Sequence, residues 1–281
     1  MSIASFIPEI VRATIEEAYS NARVVTTRST LSVDGDIAKG NALVINTAGP
    51  VTVQDYAAQG RTYTNEAPQL VDTTLHINQE KVTAQKIDEI DKKQAAGSLD
   101  PIVNAQGVAH SEDQENYVLG RLIAEGHSLN VVGKTPVTID SFAKAKAALL
   151  ALASDLDDRK VPTSDRDVYI NGAFKQILIA GLSDSSTNVG NTDAVIKNEV
   201  AQLFGLTIIV SNDFTEKAKP VAVAAHRAAW AFAAQFQGES RVVPIANSYA
   251  SSVAQLSVYG STVVHPDGVA VFVSGGTPAS A

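Results

Sequence analysis

The chain has 281 residues, 45% of them apolar and 19% charged, with a formal net charge of −8. That balance excludes a disordered chain and a nucleic-acid binder that works through its overall field. The complete lack of cysteine excludes disulfides, thiolate nucleophiles and cysteine-based zinc sites.

The length suits one large domain or two modest ones. The longest apolar runs, such as Val221 to Ala225, are too short to span a bilayer. Met1-Ser2-Ile3-Ala4 lacks the basic start and long apolar stretch of a secretory signal, which predicts a protein made and used in a cytosol.

The first predicted element is a helix from about Pro8 to Ala22, where Ile7, Ile10, Val11, Ile15, Ala18, Tyr19 and Ala22 form a helical stripe. Pro8 suits the first turn, where its missing N–H is not needed. The stripe fits an amphipathic helix on its own domain and equally an arm that packs on a neighbouring subunit. Residues 31–78 differ in texture: short β-rich pieces (Ala42 to Ile45, Val51 to Val53, Thr73 to Ile77) alternate with turn formers. Ala48-Gly49-Pro50 predicts a reversal between the first two pieces. Between Asp55 and Asp72 few large apolar side chains occur, so this segment buries little area by itself. A two-stranded ribbon of that kind needs support from its own domain or from another chain.

Ser98-Leu99-Asp100-Pro101 predicts a helix start, and Gly126 a stop after Glu125. The helix is apolar at its ends (Leu99, Ile102, Val103, Leu119, Leu122, Ile123), while its middle, His110 to Asn116, reads as a solvated polar face. From Thr138 onward helices and strands alternate. Phe142, Ala145, Leu149, Leu152 and Leu156 mark a helix, and Val168 to Ile170 a strand. Val195, Ile196, Val200, Leu203 and Phe204 mark a helix that Gly205 closes, followed by a buried strand from Leu206 to Val210. Pro220 to Ala224 predicts a strand and Trp230, Phe232 and Phe236 a helix after it. Val263-Val264 and Val269 to Val273 are late strands, and the tail from Ser274 to Pro278 frays.

No catalytic arrangement emerges. Gly181-Leu182-Ser183-Asp184-Ser185 lacks the last glycine of a nucleophile elbow and reads as a polar loop. Walker and dinucleotide fingerprints are absent, and Asp34-Gly35-Asp36 has too few ligands for a calcium loop. The five histidines are scattered, with no pair at helical i, i+4 spacing. Asp155, Asp157 and Asp158 beside Arg159 and Lys160 read as a solvated helix end. His226-Arg227 reads as structural and not as a phosphate site. No cofactor or metal is expected.

Four stretches, taken in order, carry a resemblance. They are Phe6-Ile7-Pro8-Glu9-Ile10, the β-rich out-and-back segment from Gly40 through Val53 to Ile77, Val221 to Ala233, and Tyr259 to Val271. Together they resemble the tailed-phage major capsid protein family, whose fold is shared with the herpesvirus shell and with encapsulins. No single motif is specific, and order and spacing carry the likeness.

The resemblance implies an α+β fold with an N-terminal arm (1–36), an extended β-loop (37–78), a peripheral domain with a long spine helix (79–135, with 256–281 returning to it) and an axial α/β domain (136–255). It implies a subunit that assembles with itself into hexamers and pentamers of an icosahedral shell around double-stranded DNA, without sequence-specific DNA binding. The partners implied are a separate scaffolding protein, a portal and a decoration protein, with no membrane. The localisation is the virion capsid, assembled in the host cytoplasm. Candidate subunit-interface residues are Phe6, Ile10, Val11 and Ile15 of the arm and Pro50, Tyr56 and Tyr63 of the loop. Lys39, at the base of the loop where some relatives carry a reactive lysine, reads as an ordinary solvated side chain. Two alternatives stay open: an encapsulin shell around protein cargo, and a cytosolic α/β enzyme built on an open sheet between residues 160 and 275.

Overall fold

The computed structural model describes residues 24–32, 40–49, 51–88, 100–129, 131–132, 135–184 and 202–275. The expected helix over Pro8 to Ala22, the helix-start residues Ser98 and Leu99, Lys39 and residues 195–201 lie outside the described residues.

The strands are β1 (Leu31–Ser32), β2 (Ala42–Ala48), β3 (Leu70–His76), β4 (Gln79–Asp88), β5 (His127–Ser128), β6 (Val131–Val132), β7 (Thr135–Pro136), β8 (Arg166–Ile170), β9 (Gln202–Leu203), β10 (Leu206–Val210), β11 (Val221–His226), β12 (Trp230–Pro244), β13 (Ala250–Val263) and β14 (Val269–Val273). Among the described residues three α-helices accompany them: α1 (Asp100–Glu125), α2 (Phe142–Asp158) and α3 (Gly172–Asp184).

Two sheets organise the subunit. The larger has the strand order β5-β14-β11-β8-β10-β9. Its central strands carry long apolar stretches, Val168 to Ile170 and Val221 to Ala225, because both faces are covered. Val168, Ile170, Ala222, Ala224, Ala270 and Phe272 meet Leu149, Leu152 and Leu156 of α2 and Phe174 and Leu178 of α3. The alternate residues Tyr169, Val221, Val223, Val269 and Val271 pack with Val118, Leu119 and Leu122 of α1 and with Trp230 and Tyr259. The smaller sheet, β1-β12-β13-β4, lies under α1, which at 26 residues is about 39 Å long. Gly126 ends that helix where any Cβ would lie 2.6 Å from the Leu122 carbonyl oxygen and from Val271.

Several expectations need correction. Trp230, Phe232 and Phe236 lie on a strand and not on a helix. Trp230 and Phe232 stand two apart, which is the strand period: they face the main core, while Ala231 and Ala233 face a separate cluster on the other side. Gly205 does not cap a helix. Phe204 (φ 53) and Gly205 (φ 76) form the two-residue turn of the β9–β10 hairpin, the left-handed pair that such a turn requires. Gly181 to Asp184 is the last turn of α3 and not a loop. Asp155 and Asp157 are ion-paired, with Arg159 and with Arg166 respectively, and so are more than a solvated helix end.

The expected boundary at 255/256 also moves. It falls inside β13, whose 14 residues run in one ladder with β12 and β4, so residues 230–263 belong with the smaller sheet. The last strand, β14, pairs with β11 in the larger one.

The reversal expected at Ala48 to Pro50 is displaced outward. Gly49 N–H donates to the Gln69 carbonyl at 2.8 Å, which continues the β2–β3 ladder past its last paired residues, Ala48 and Leu70. The chain turns at Asp55 to Arg61 instead. There the Asp55 carboxylate accepts the N–H groups of Ala57 and Ala58, and Gly60 and Arg61 adopt positive φ. Val51 to Val53 makes no regular strand. It is tied to the returning chain by Thr52 N–H to the Glu66 carboxylate and by the Gln54 amide, which bonds both the carbonyl and the N–H of Thr64.

Candidate subunit interface

The extended segment 42–76 has a buried root and an open outer part. At the root, Leu75 and Ile77 pack with Ala231, Ala233, Val258 and Val264, joined by Leu43 and Ile45. Here the chain crosses β13 at Gly260, where an added Cβ would lie 2.1 Å from the His76 carbonyl oxygen. Only a residue without a side chain admits this crossing, so Gly260 fixes how the segment leaves the sheet.

Farther out no described residue of the subunit covers the apolar side chains. Tyr56 is 54% exposed and Tyr63 71%, and they stand beside Val51 at 83% and Val53 at 94%; Leu70 and Val71 are exposed too. The acidic side chains Asp55, Glu66 and Asp72 outnumber Arg61 along it. Phe6, Ile10, Val11, Ile15 and Pro50 lie outside the described residues, so of the seven candidates the structure places Tyr56 and Tyr63.

A second open apolar surface lies on the smaller sheet. Val82 sits opposite Leu256, and Phe236 opposite Val258, with Val243 on the same face; Val82, Leu256, Phe236 and Val243 are all exposed. These residues alternate with Thr83, Val253, Gln255 and Ser257, which face α1, so they occupy the side of the sheet that the helix leaves bare. Lys86 and Arg241 flank them. Sequence reasoning missed this surface, and its only local signal is the two-residue alternation within β4 and β13.

The middle of α1 is not the solvated face that its composition suggests. His110, Ser111, Gln114 and Glu115 are buried against the smaller sheet and the residue 24–28 segment. His110 Nε2 is 3.0 Å from the Thr83 hydroxyl, and burial holds its pKa below the ordinary histidine value against the opposing pull of Gln255 and Asp113. Glu115 is 1% exposed. Burial pushes its carboxyl above the usual range, while hydrogen bonds from Val25 and Thr26 pull it back. Close by, the Arg227 guanidinium grips the fully buried Asp167 through Nε at 2.8 Å and an Nη atom at 3.1 Å, and Arg28 approaches the same carboxylate at 3.6 Å. His226-Arg227 is thus structural as expected, although it precedes a strand. Among the described residues no cluster of three metal-ligating side chains occurs, and no helix is long and apolar enough to cross a membrane.

No family model and no curated protein sequence matches the chain. Solved structures do. A structure of Mycobacterium phage Che8 is 26% identical with a TM-score of 0.79, covering 89% of this chain and 90% of that one. The capsid of cyanophage P-SCSP1u is 15% identical with a TM-score of 0.69, covering 85% of each chain. A virus-like particle from Pyrococcus furiosus is 10% identical with a TM-score of 0.62, covering 94% of this chain and 98% of that one. A helix-backed sheet with an extended hairpin, joined to a second α/β layer, is the capsid fold of the tailed phages. The chain shares that fold with these solved structures.

Proposed function

We propose that copies of this subunit assemble into hexamers and pentamers that close an icosahedral shell around phage double-stranded DNA, and that residues 51–72 of each copy lie on a neighbour. The observation that carries this reading is the outer part of the extended segment, whose apolar side chains find no cover among the described residues of their own chain. Burying such a side chain is worth about 1.5–3 kcal/mol, so six left open represent a large unused driving force for association. The bare face of the smaller sheet offers a matching apolar surface, and its flanking Lys86 and Arg241 suit the acidic loop. Head-to-tail contacts of this kind between identical copies close into rings.

The arm, with Phe6, Ile10, Val11 and Ile15, adds a second contact between copies. The peripheral part of the subunit comprises α1 and the smaller sheet, and the axial part is the layer of α2, α3 and the larger sheet. The role is structural, without catalysis or cofactor. A net charge of −8 suits a wall that encloses DNA without binding particular sequences. A separate scaffolding protein, a portal and a decoration protein complete the partners, and assembly takes place in the host cytoplasm before the subunit becomes part of the virion.

The test is to co-express the chain with its scaffold, collect fast-sedimenting material, image it and assay its contents. Shells that package DNA in an infected host support the reading. Shells filled with a dedicated protein cargo would favour the encapsulin alternative, and a small soluble oligomer under all conditions would refute a shell protein.

A further inference from the structure

The described part of the arm begins at residue 24 with three consecutive N–H groups pointing at one carboxylate. Glu115 Oε1 accepts from Val24 N–H at 3.2 Å and Thr26 N–H at 2.9 Å, and from the Thr26 hydroxyl at 3.0 Å. Val25 N–H donates to Oε2 at 2.7 Å and to Oε1 at 3.0 Å. Val25 and Thr26 are themselves buried. These N–H groups open the one-turn 3-10 helix Thr26–Arg28, whose first donors have no partner within the turn and no side-chain cap from Val25. A carboxylate some 90 residues away in the sequence takes that role. Downstream the same segment is bound to other elements. Arg28 reaches Asp167 of β8, the Ser29 hydroxyl donates to the Trp230 carbonyl at 2.7 Å, Thr30 N–H donates to the Arg227 carbonyl at 3.1 Å, and β1 pairs with β12.

We propose that Glu115 is the positioning residue for the arm: it fixes residues 24–26 on the spine helix and so sets the direction in which residues 1–23 leave the subunit. The inference rests on the reading of the arm as a contact between copies. The chemistry favours a carboxylate at this place. Two acceptor oxygens without a hydrogen can serve three N–H groups and a hydroxyl together, whereas an amide would turn N–H against N–H. Among the described residues, the groups that face the carboxylate are the Thr26 hydroxyl, the Tyr169 phenol and the Asp213 carboxylate, none of which supplies a positive charge. Among the described residues Glu115 is therefore held by N–H donors and not by an ion pair, and its geometry depends on where the arm root lies. A residue that served only packing would not gather the donors of one short segment onto one side chain.

The test uses full-length unassembled subunits carrying Glu115→Gln or Glu115→Ala, with Thr26→Val as a variant that removes one donor and leaves the helix untouched. Tryptic cleavage after Arg23 and Arg28 and hydrogen exchange at Val25 and Thr26 read the root, exchange at Tyr169 and Val223 reads the core, and sedimentation with scaffold reads assembly. The expected result is a rise of about tenfold in root cleavage and exchange for Glu115→Gln, and more for Glu115→Ala. Core exchange stays at its original rate, and shells are lost or irregular. Thr26→Val shows the same pattern in weaker form.

Unchanged root exchange would overturn the proposal, as would root and core exchange rising together in all three variants. Normal shells from a variant with an open root would also overturn it. Failure of the unaltered chain to make shells is a separate outcome, since it counts against the shell reading while the root measurements still judge the role of Glu115.

Discussion

Replacing Gly260 with alanine tests how the extended segment is aimed. The new Cβ would lie 2.1 Å from the His76 carbonyl oxygen, 2.9 Å from the His76 carbonyl carbon and 3.0 Å from the Ile77 Cα. All three are backbone atoms, so no flexible side-chain end can yield, and the crossing chain must lift by about 1 Å. The root is held by the Ile77 N–H bond to the Asn41 carbonyl and by the apolar cluster around Leu75, so it tilts instead of detaching. A tilt of about 5° along a ribbon of about 50 Å carries the turn at Asp55 to Arg61 about 4 Å from its place. Overpacking of this kind costs about 1–3 kcal/mol, and in a chain of this size each kcal/mol lowers Tm by about 2–4 °C. Calorimetry of unassembled Gly260→Ala subunits should therefore show a cooperative transition a few degrees lower. Sedimentation with scaffold should show a far larger loss of shells than that fall explains. A variant that melts as the original does and assembles at its rate would refute the reasoning.

Deleting Asp55 to Pro68 should leave Tm within a few degrees of the original while abolishing shells, because this part contributes nothing to the subunit core; normal particles from the deletion would contradict that. His110 gives a pH dependence of definite sign. Its folded-state pKa is lowered by burial, so the unfolded chain binds the extra proton first, and stability present above pH about 6.5 is lost as the pH falls through the folded-state value. Urea unfolding from pH 7.5 to 5.5 should show His110→Gln losing less stability on acidification than the original, and parallel curves would sink the assignment. Arg227→Ala should cost about 3–5 kcal/mol by leaving the fully buried Asp167 without its two-point partner. Asp167→Asn should cost less, since Arg227 is partly exposed and keeps Asp165 at 3.3 Å, and chemical denaturation reads both.

Where burial is one-sided or complete within a short stretch, the sequence is a good guide. The stripe Ala145, Leu149, Leu152 and Leu156 gave α2, and the apolar blocks around Val168, Ile208 and Val223 gave the central strands, because each pattern is local. Trp230 and Phe232 misled because a run of alanines around aromatics suits a helix by propensity, while the partners that make it a strand, β13 and β1, lie elsewhere in the chain. Glu115 was illegible for a similar reason: its donors are some 90 residues distant, and a charged residue amid polar neighbours normally faces water. The face bearing Val82 and Leu256 required the strand register, which the sequence does not display.

The central claim is that each copy lays residues 51–72 on its neighbour. Cryo-electron microscopy of assembled shells at side-chain resolution tests it most directly. The account predicts Val51, Val53, Tyr56, Tyr63, Leu70 and Val71 buried against an adjacent copy. Shells in which these side chains stay in solvent, or fold back onto their own subunit, would contradict it.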